Sequence, residues 1–394
     1  MSLHKEFDLD PSLTYLNSGT HSICPRSVTQ AWIRHLQEYE KNPTASLFNA
    51  WGRLWDIQTE VAKFFGADPK DLILRSNITQ VMNLFILGLE IPKGSEILLT
   101  DLEYGAVENI CRFRAERDGL KLRKVHLPSH AQEYEGLPPQ SLAQKLAAEI
   151  RPETKIFVVS HVMTGNGLVL PLAELARETR KKGVMLIVDG AHAPGSLPLN
   201  LSALEDVDFY GGNLHKWMLA PKGTSFGWVP KRNQAKLQLQ AAGWTTFEIQ
   251  TPFDRFAEKN KFTNQHLMVG CYDFAPFFAL HETFAFWNDH QPQKIFSRIQ
   301  QLQYFAEDLV AKKLGWELAS PPRGPFRGPL LAFHLPQALA QMGWNLMGDL
   351  FLKHQIQLAT PKIHDTHVLR FSPHIHNTEA DIEKAVSILH KMTG

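Results

Sequence analysis

The chain has 394 residues, 44% of them hydrophobic and 21% charged, with a formal net charge of +1 at pH 7. That length exceeds what one core usually supports, so two domains are expected, and the even charge balance excludes the basic surface of a nucleic-acid binder. Three widely spaced cysteines, Cys24, Cys111 and Cys271, support neither a disulfide framework nor a zinc site.

The opening MSLHKEFDLDPSL lacks the charged and apolar regions of a targeting segment. No apolar run reaches membrane-spanning length, so a cytoplasmic chain is expected. WGRLWDIQTEVAKFFG (51–66) is an amphipathic helix whose aromatics suit the core or a subunit interface. Strand-like and helix-like segments then alternate as in a doubly wound α/β domain. Strands are predicted at 71–74, 96–100, 122–127 and 155–160, with helices at 79–89, 104–118, 141–150 and 172–181. Next comes GVMLIVDGAHAPG, whose five apolar residues before Asp189 read as a strand buried on both faces. DVDFYGGNLHKW follows, with a second strand at 207–210, and residues 223–229 are predicted to close the sheet as its last strand. Beyond 275 the texture changes to long amphipathic helices at 277–287 and 293–313, then SPPRGPFRGP (320–329) before a strand at 330–334. A helix at 344–354 and a strand at 368–371 follow, and Thr378-Glu-Ala-Asp381 opens the last helix with capping-box spacing. The predicted division is a large domain over 14–275 and a small α+β domain over 276–394, joined by the N-terminal segment 1–13.

Parallel sheets bind ligands at the carboxyl ends of their strands, and here two strands end in Asp189 and Lys216. An acid and a lysine so placed suit pyridoxal phosphate (PLP). The lysine bonds the aldehyde and the acid keeps the pyridine nitrogen protonated. Taken singly, each residue fits a structural role better, Asp189 as a helix cap and Lys216 as a surface lysine; the order of the elements reverses that and favours the site. RSNITQVMN (75–83) places Ser76, Asn77 and Thr79 at a helix opening, which serves phosphate binding and plain N-capping equally well. Tyr104 follows a strand end and suits ring stacking. Arg370 suits a substrate carboxylate, with Arg75 and Arg53 as alternatives. His364, His367, His374 and His376 match no metal-ligand spacing and read as solvated loop histidines, so no metal is expected. TGNGL (164–168) is no dinucleotide fingerprint.

Together DGAH (189–192) and NLHKW (213–217) resemble the class V aminotransferase family of fold-type I PLP enzymes, and most of all its isopenicillin N epimerase-like branch. YLNSGTHSICP (15–25), SNITQVMN, DLEYGAV, SHVMTGNGLVLPL and VLRFSPHIHNTEADIE are similar to further family segments in the same order. The resemblance implies a large, doubly wound, mostly parallel sheet domain with a smaller α+β C-terminal domain. It implies that Lys216 forms the internal aldimine, Asp189 pairs with the pyridinium, His192 contacts the ring and Tyr104 stacks on it. Asn77, Ile78, Thr79 and His215 would bind the phosphate, and Thr164 would lie by the phenolic oxygen. Asn213 and Cys271 stand near the phosphate where many relatives carry serine and threonine. Arg370 would hold the substrate carboxylate, with His21 beside it. A homodimer with interfacial active sites, acting on an amino acid by α-proton abstraction, is further implied, with no nucleic-acid or membrane partner. The outcome is then epimerisation, transamination or lysis. A cysteine desulfurase-like or other β-lyase is the alternative within the class, and a non-catalytic PLP-fold binding protein the alternative outside it. No cysteine lies between 358 and 370, which weighs against a persulfide-forming desulfurase.

Overall fold

Strands that are apolar on both faces need cover on both sides, and the helices between them supply it. The computed structural model describes residues 3–243, 246, 261–267 and 270–393. After β1 (Thr14–Tyr15), α1 (Arg26–Lys41) and α2 (Pro43–Phe64), the chain alternates through β2 (Leu72–Arg75), α3 (Ile78–Gly88), β3 (Glu96–Thr100) and α4 (Gly105–Asp118). It continues with β4 (Lys121–Val125), α5 (Pro139–Ala148), β5 (Thr154–Ser160), α6 (Leu172–Lys181), β6 (Met185–Gly190), β7 (Phe209–Asn213) and β8 (Ser225–Trp228).

These strands form one seven-stranded sheet in the order β2-β8-β7-β6-β5-β3-β4. The run from β7 to β4 is parallel, and β8 lies antiparallel to both its neighbours. The strand predicted to close the sheet is therefore not at its margin. A short link from β7 permits only an antiparallel return, and β2 takes the edge beyond it. Register sets Ser160 opposite Asp189, and Asp189 opposite Gly211. Gly211 and Gly212 let β7 lie close under α3 and β8. A Cβ at Gly211 would stand 2.9 Å from Val81, and one at Gly212 would stand 2.6 Å from the Phe226 ring.

In the C-terminal part, β9 (Leu331–His334), β11 (Lys362–Ile363) and β12 (Thr366–Phe371) make an antiparallel sheet, with β12 central. The short β10 (Ile356–Gln357) pairs in parallel with β1, and Leu16 joins the same core cluster as Leu302, Phe333 and Leu369. The helix predicted at 277–287 is two pieces, Ala275–Phe278 and Leu280–Asp289. The capping box forms: the Thr378 N–H donates to Asp381 Oδ2 at 2.8 Å and the Asp381 N–H donates to Thr378 Oγ1 at 3.4 Å. His374 and His376 are buried rather than solvated. The reason is tertiary: His374 stacks on Trp217 and its Nε2 donates to the Trp217 carbonyl at 2.9 Å. Among the described residues no helix is long and apolar enough to cross a membrane.

Candidate active site

Each exit from the carboxyl edge of the parallel strands delivers one polar group: Asp101–Tyr104 after β3, His161–Thr164 after β5, Asp189–His192 after β6 and Asn213–Lys216 after β7. The strand order reverses between β3 and β5, which opens a crevice at that edge.

Asp189 is buried, and its Oδ1 accepts the Ala191 N–H at 2.8 Å. Burial raises its pKa, opposed by that N–H and by the charge of Lys216. Lys216 is partly buried, and its pKa falls to about 8. Loss of solvent is the main cause; Asp189 opposes it and Arg370 adds to it. Lys216 Nζ lies 3.4 Å from His192 Nε2. His192 is fully enclosed, and burial holds it neutral, well below its ordinary range. The Trp217 indole N–H donates to His192 Nδ1 at 3.3 Å, which leaves the ring proton on Nε2, directed at Thr164 Oγ1 3.1 Å away.

Thr164 links this group to the arginine, because its carbonyl accepts from Arg370 Nη1 at 2.8 Å. Arg370 Nη2 donates to Asn17 Oδ1 at 3.3 Å and to Thr20 Oγ1 at 3.1 Å, while its Nε has no partner among the described residues. Burial lowers its pKa to about 10, with Tyr104 and Tyr15 opposing. The arginine is thus fixed at one end, with guanidinium hydrogens left over. Asn17 and Thr20 were not singled out by sequence reasoning. Their only signal was the similar segment YLNSGTH, which fixes no particular role.

The α3 terminus is capped by Asn77, whose Oδ1 accepts the Gln80 N–H at 3.0 Å. Ile78 is turned inward, and its N–H donates to Asn213 Oδ1 at 3.0 Å, so Ile78 has no free donor for an anion. That bond ties α3 to β7, and it leaves the exposed Thr79 and the amide nitrogens of Asn77 and Asn213 as donors. His215 Nδ1 donates to the Thr224 carbonyl at 3.1 Å, and its pKa drops to about 4, mainly through burial. A bound dianion would favour its doubly protonated form. His21 stands edge-on to His215 with ring centroids 5.7 Å apart. Tyr104 is 51% exposed at the start of α4. Cys271 is exposed and shares a cleft with Arg75, Ser76 and Thr79.

Glu103 also escaped the sequence reading. It accepts from Thr100 Oγ1 at 2.7 Å, from the Ser160 N–H at 3.0 Å and from Ser160 Oγ at 2.5 Å. It pins the segment that carries Tyr104 to the end of β5. Its pKa rises to about 7, chiefly by burial.

The residues present fit PLP. Asp189 is a buried carboxylate with no direct ion pair among the described residues, a costly state that a cationic ring nitrogen would offset. An amine of lowered basicity lies near it, a helix N-terminus offers anion donors and an arginine stands ready for a carboxylate. Sheet, lysine and acid define the class: a fold-type I PLP-dependent enzyme. The chain belongs to the class V aminotransferase family, whose model matches residues 14–385.

Isopenicillin N epimerase of Streptomyces clavuligerus is 31% identical over 98% of this chain and 96% of its own length. The epimerase of Amycolatopsis lactamdurans is 28% identical over 99% and 97%. Among solved structures, the cystine C–S lyase C-DES bound to cysteine persulfide shares the fold with a TM-score of 0.84. Its identity is 22% over 96% of this chain and 98% of that one.

Proposed function

We propose that the chain is an amino-acid epimerase that inverts an α-carbon using Lys216 as general base. The carrying observation is the continuous line Lys216–His192–Thr164–Arg370, each link within 3.4 Å, with Asp189 buried nearby. Bound PLP supplies an aldehyde for the amine and a ring that takes up electrons when the α-proton leaves. Arg370 fixes the substrate carboxylate through its unused hydrogens, which sets the α-C–H bond relative to Lys216. With its pKa lowered to about 8, the free Lys216 amine is half deprotonated near pH 8, where an ordinary lysine is almost wholly charged, and it accepts the proton. His192 holds the amine by hydrogen bonding and stays neutral, so it adds no competing charge. Asp189 would hold positive charge at the ring nitrogen, and Asn77, Thr79, Asn213 and His215 would hold the phosphate. His21, edge-on to His215, and Tyr104, whose charge is felt by Arg370, are the candidates for returning a proton to the α-carbon. Inversion as the outcome rests on the likeness to the two epimerases over nearly the whole chain.

The test is a panel of L- and D-amino acids incubated with the PLP-loaded protein in deuterated buffer. Loss of optical activity with one deuterium at Cα is expected. Keto-acid release, or loss of a β-substituent without racemisation, would overturn the reading in favour of transaminase or lyase.

The same reading carries a homodimer, supported by Ile33 and Leu36 on α1 and Phe48 on α2, which are large, apolar and exposed. A cytoplasmic location is supported by three cysteines that all remain free. A division into two domains is supported by the separate core cluster formed by Leu302, Val310, Leu369 and Leu389, while Phe277, Phe284, Trp287 and Ile299 pack in the large core and favour a boundary nearer residue 300 than 275.

A further inference from the structure

Three side chains outside this site converge on one point. Asp101 follows β3, His126 follows β4, and His364 sits in the turn between β11 and β12. Asp101 Oδ2 lies 2.8 Å from His126 Nδ1 and 3.0 Å from His364 Nε2, and all three ligand atoms are within 4.8 Å of one another. The two imidazoles lie nearly parallel, centroids 4.9 Å apart at 21°. Asp101 Oδ1 accepts the Leu127 N–H at 2.9 Å, which fixes the carboxylate with Oδ2 toward the histidines. His364 has φ of 50°, a left-handed conformation uncommon outside glycine, which turns its ring toward Asp101.

Two imidazoles and one carboxylate are the donors preferred by first-row divalent transition metals, not by calcium or magnesium. Donor atoms 2.8 and 3.0 Å apart, each about 2.1 Å from an ion, subtend roughly 85–90° at it. That is the cis angle of five- or six-coordination, with water completing the shell. His126 is 72% exposed, so an ion has a path in.

We propose that Asp101, His126 and His364 form a divalent transition-metal site of the zinc or nickel class that ties the C-terminal sheet to the rim of the large sheet. Leu102, next to Asp101, packs with Ile363 and Val368, and Ile363 also lies against Gly165, beside Thr164. An ion there fixes the small sheet over the segments that carry Tyr104 and Thr164. The site stands independently of which reaction the enzyme performs.

The test is calorimetric titration of chelator-treated, PLP-loaded protein with zinc chloride and then nickel chloride. A second set, His130, Glu317 and His334, also groups three donors, so the titration is made in a His130→Ala background. One ion per chain at micromolar or tighter Kd is expected, with affinity weakened at least tenfold by His126→Ala and by His364→Ala. Zinc should also raise the Tm of the background protein and not that of the two variants. No saturable uptake below millimolar zinc, or uptake that both variants retain, would overturn the site and leave a hydrogen-bonded clasp. His126 is largely solvent-exposed, so its variant tests the site without endangering the fold.

Discussion

His192 takes its protonation from its neighbours. The Trp217 indole N–H occupies Nδ1, so the ring proton faces Thr164 and Lys216 from Nε2. Trp217→Phe keeps the buried ring and loses only that donor, so Trp217 acts as a positioning residue. The expected result is a fall in kcat of about fivefold with KM little changed, because one neutral hydrogen bond is worth about 1 kcal/mol. A shifted pH–rate profile for Trp217→Phe would separate this role from simple packing. Lys216→Ala should lower turnover by at least about 10³-fold and abolish borohydride trapping of PLP on the intact chain, read by mass spectrometry. Arg370→Lys keeps the charge and loses the planar fork that Thr164, Asn17 and Thr20 hold. KM should rise by about 10- to 100-fold while kcat falls less, read from steady-state kinetics.

At the scale of elements, the ends of α3 and β7 depend on each other through Asn77 and Asn213. Asn77→Ala removes the cap acceptor of α3, at a cost of about 1 kcal/mol in denaturant unfolding, and should also weaken PLP binding measured by visible absorbance. Gly195 governs the approach of the β6 exit to the loop after Lys216. It has φ of 82°, and a Cβ there would meet Trp217 C at 2.4 Å and Met218 N at 2.5 Å. Gly195→Ala must therefore move backbone against backbone. It should destabilise by about 2–4 kcal/mol and lower PLP occupancy, checked by melting and by absorbance of the purified variant.

Across the whole molecule, histidines buried without charge set its behaviour in acid. Burial lowers His374 and His266 to about 3, and His161, His215 and His376 to about 4. The folded chain then binds fewer protons than the unfolded one between these values and about 6.5. The contribution to stability is complete above about pH 6.5 and is lost as pH falls through that window. Tm of the cofactor-free protein should accordingly drop between pH 6.5 and 4. His374→Gln should take up about one proton fewer on unfolding near pH 5, seen as a shallower slope of stability against pH.

Much of the architecture was legible in order and spacing. Apolar strands ending in Asp189 and Lys216, alternating with helices, required a parallel sheet with its polar exits on one edge, because chain direction alone decides which end of a strand faces the crevice. The β3 strand (Glu96–Thr100) and α6 helix (Leu172–Lys181) fall where apolar periodicity puts them. Position in space was not legible where the partner is distant in the chain. The place of β8 beside the edge strand, the inward turn of Ile78 toward Asn213 and the burial of His374 against Trp217 each depend on contacts at least ten residues away. Glu103 and Asn17 gave no local signal for the same reason: a carboxylate or an amide becomes a support only when folding brings Ser160 or Arg370 to it. Local sequence determined the elements and the chemical groups at their ends; packing decided which of those groups meet, and how readily each holds a proton.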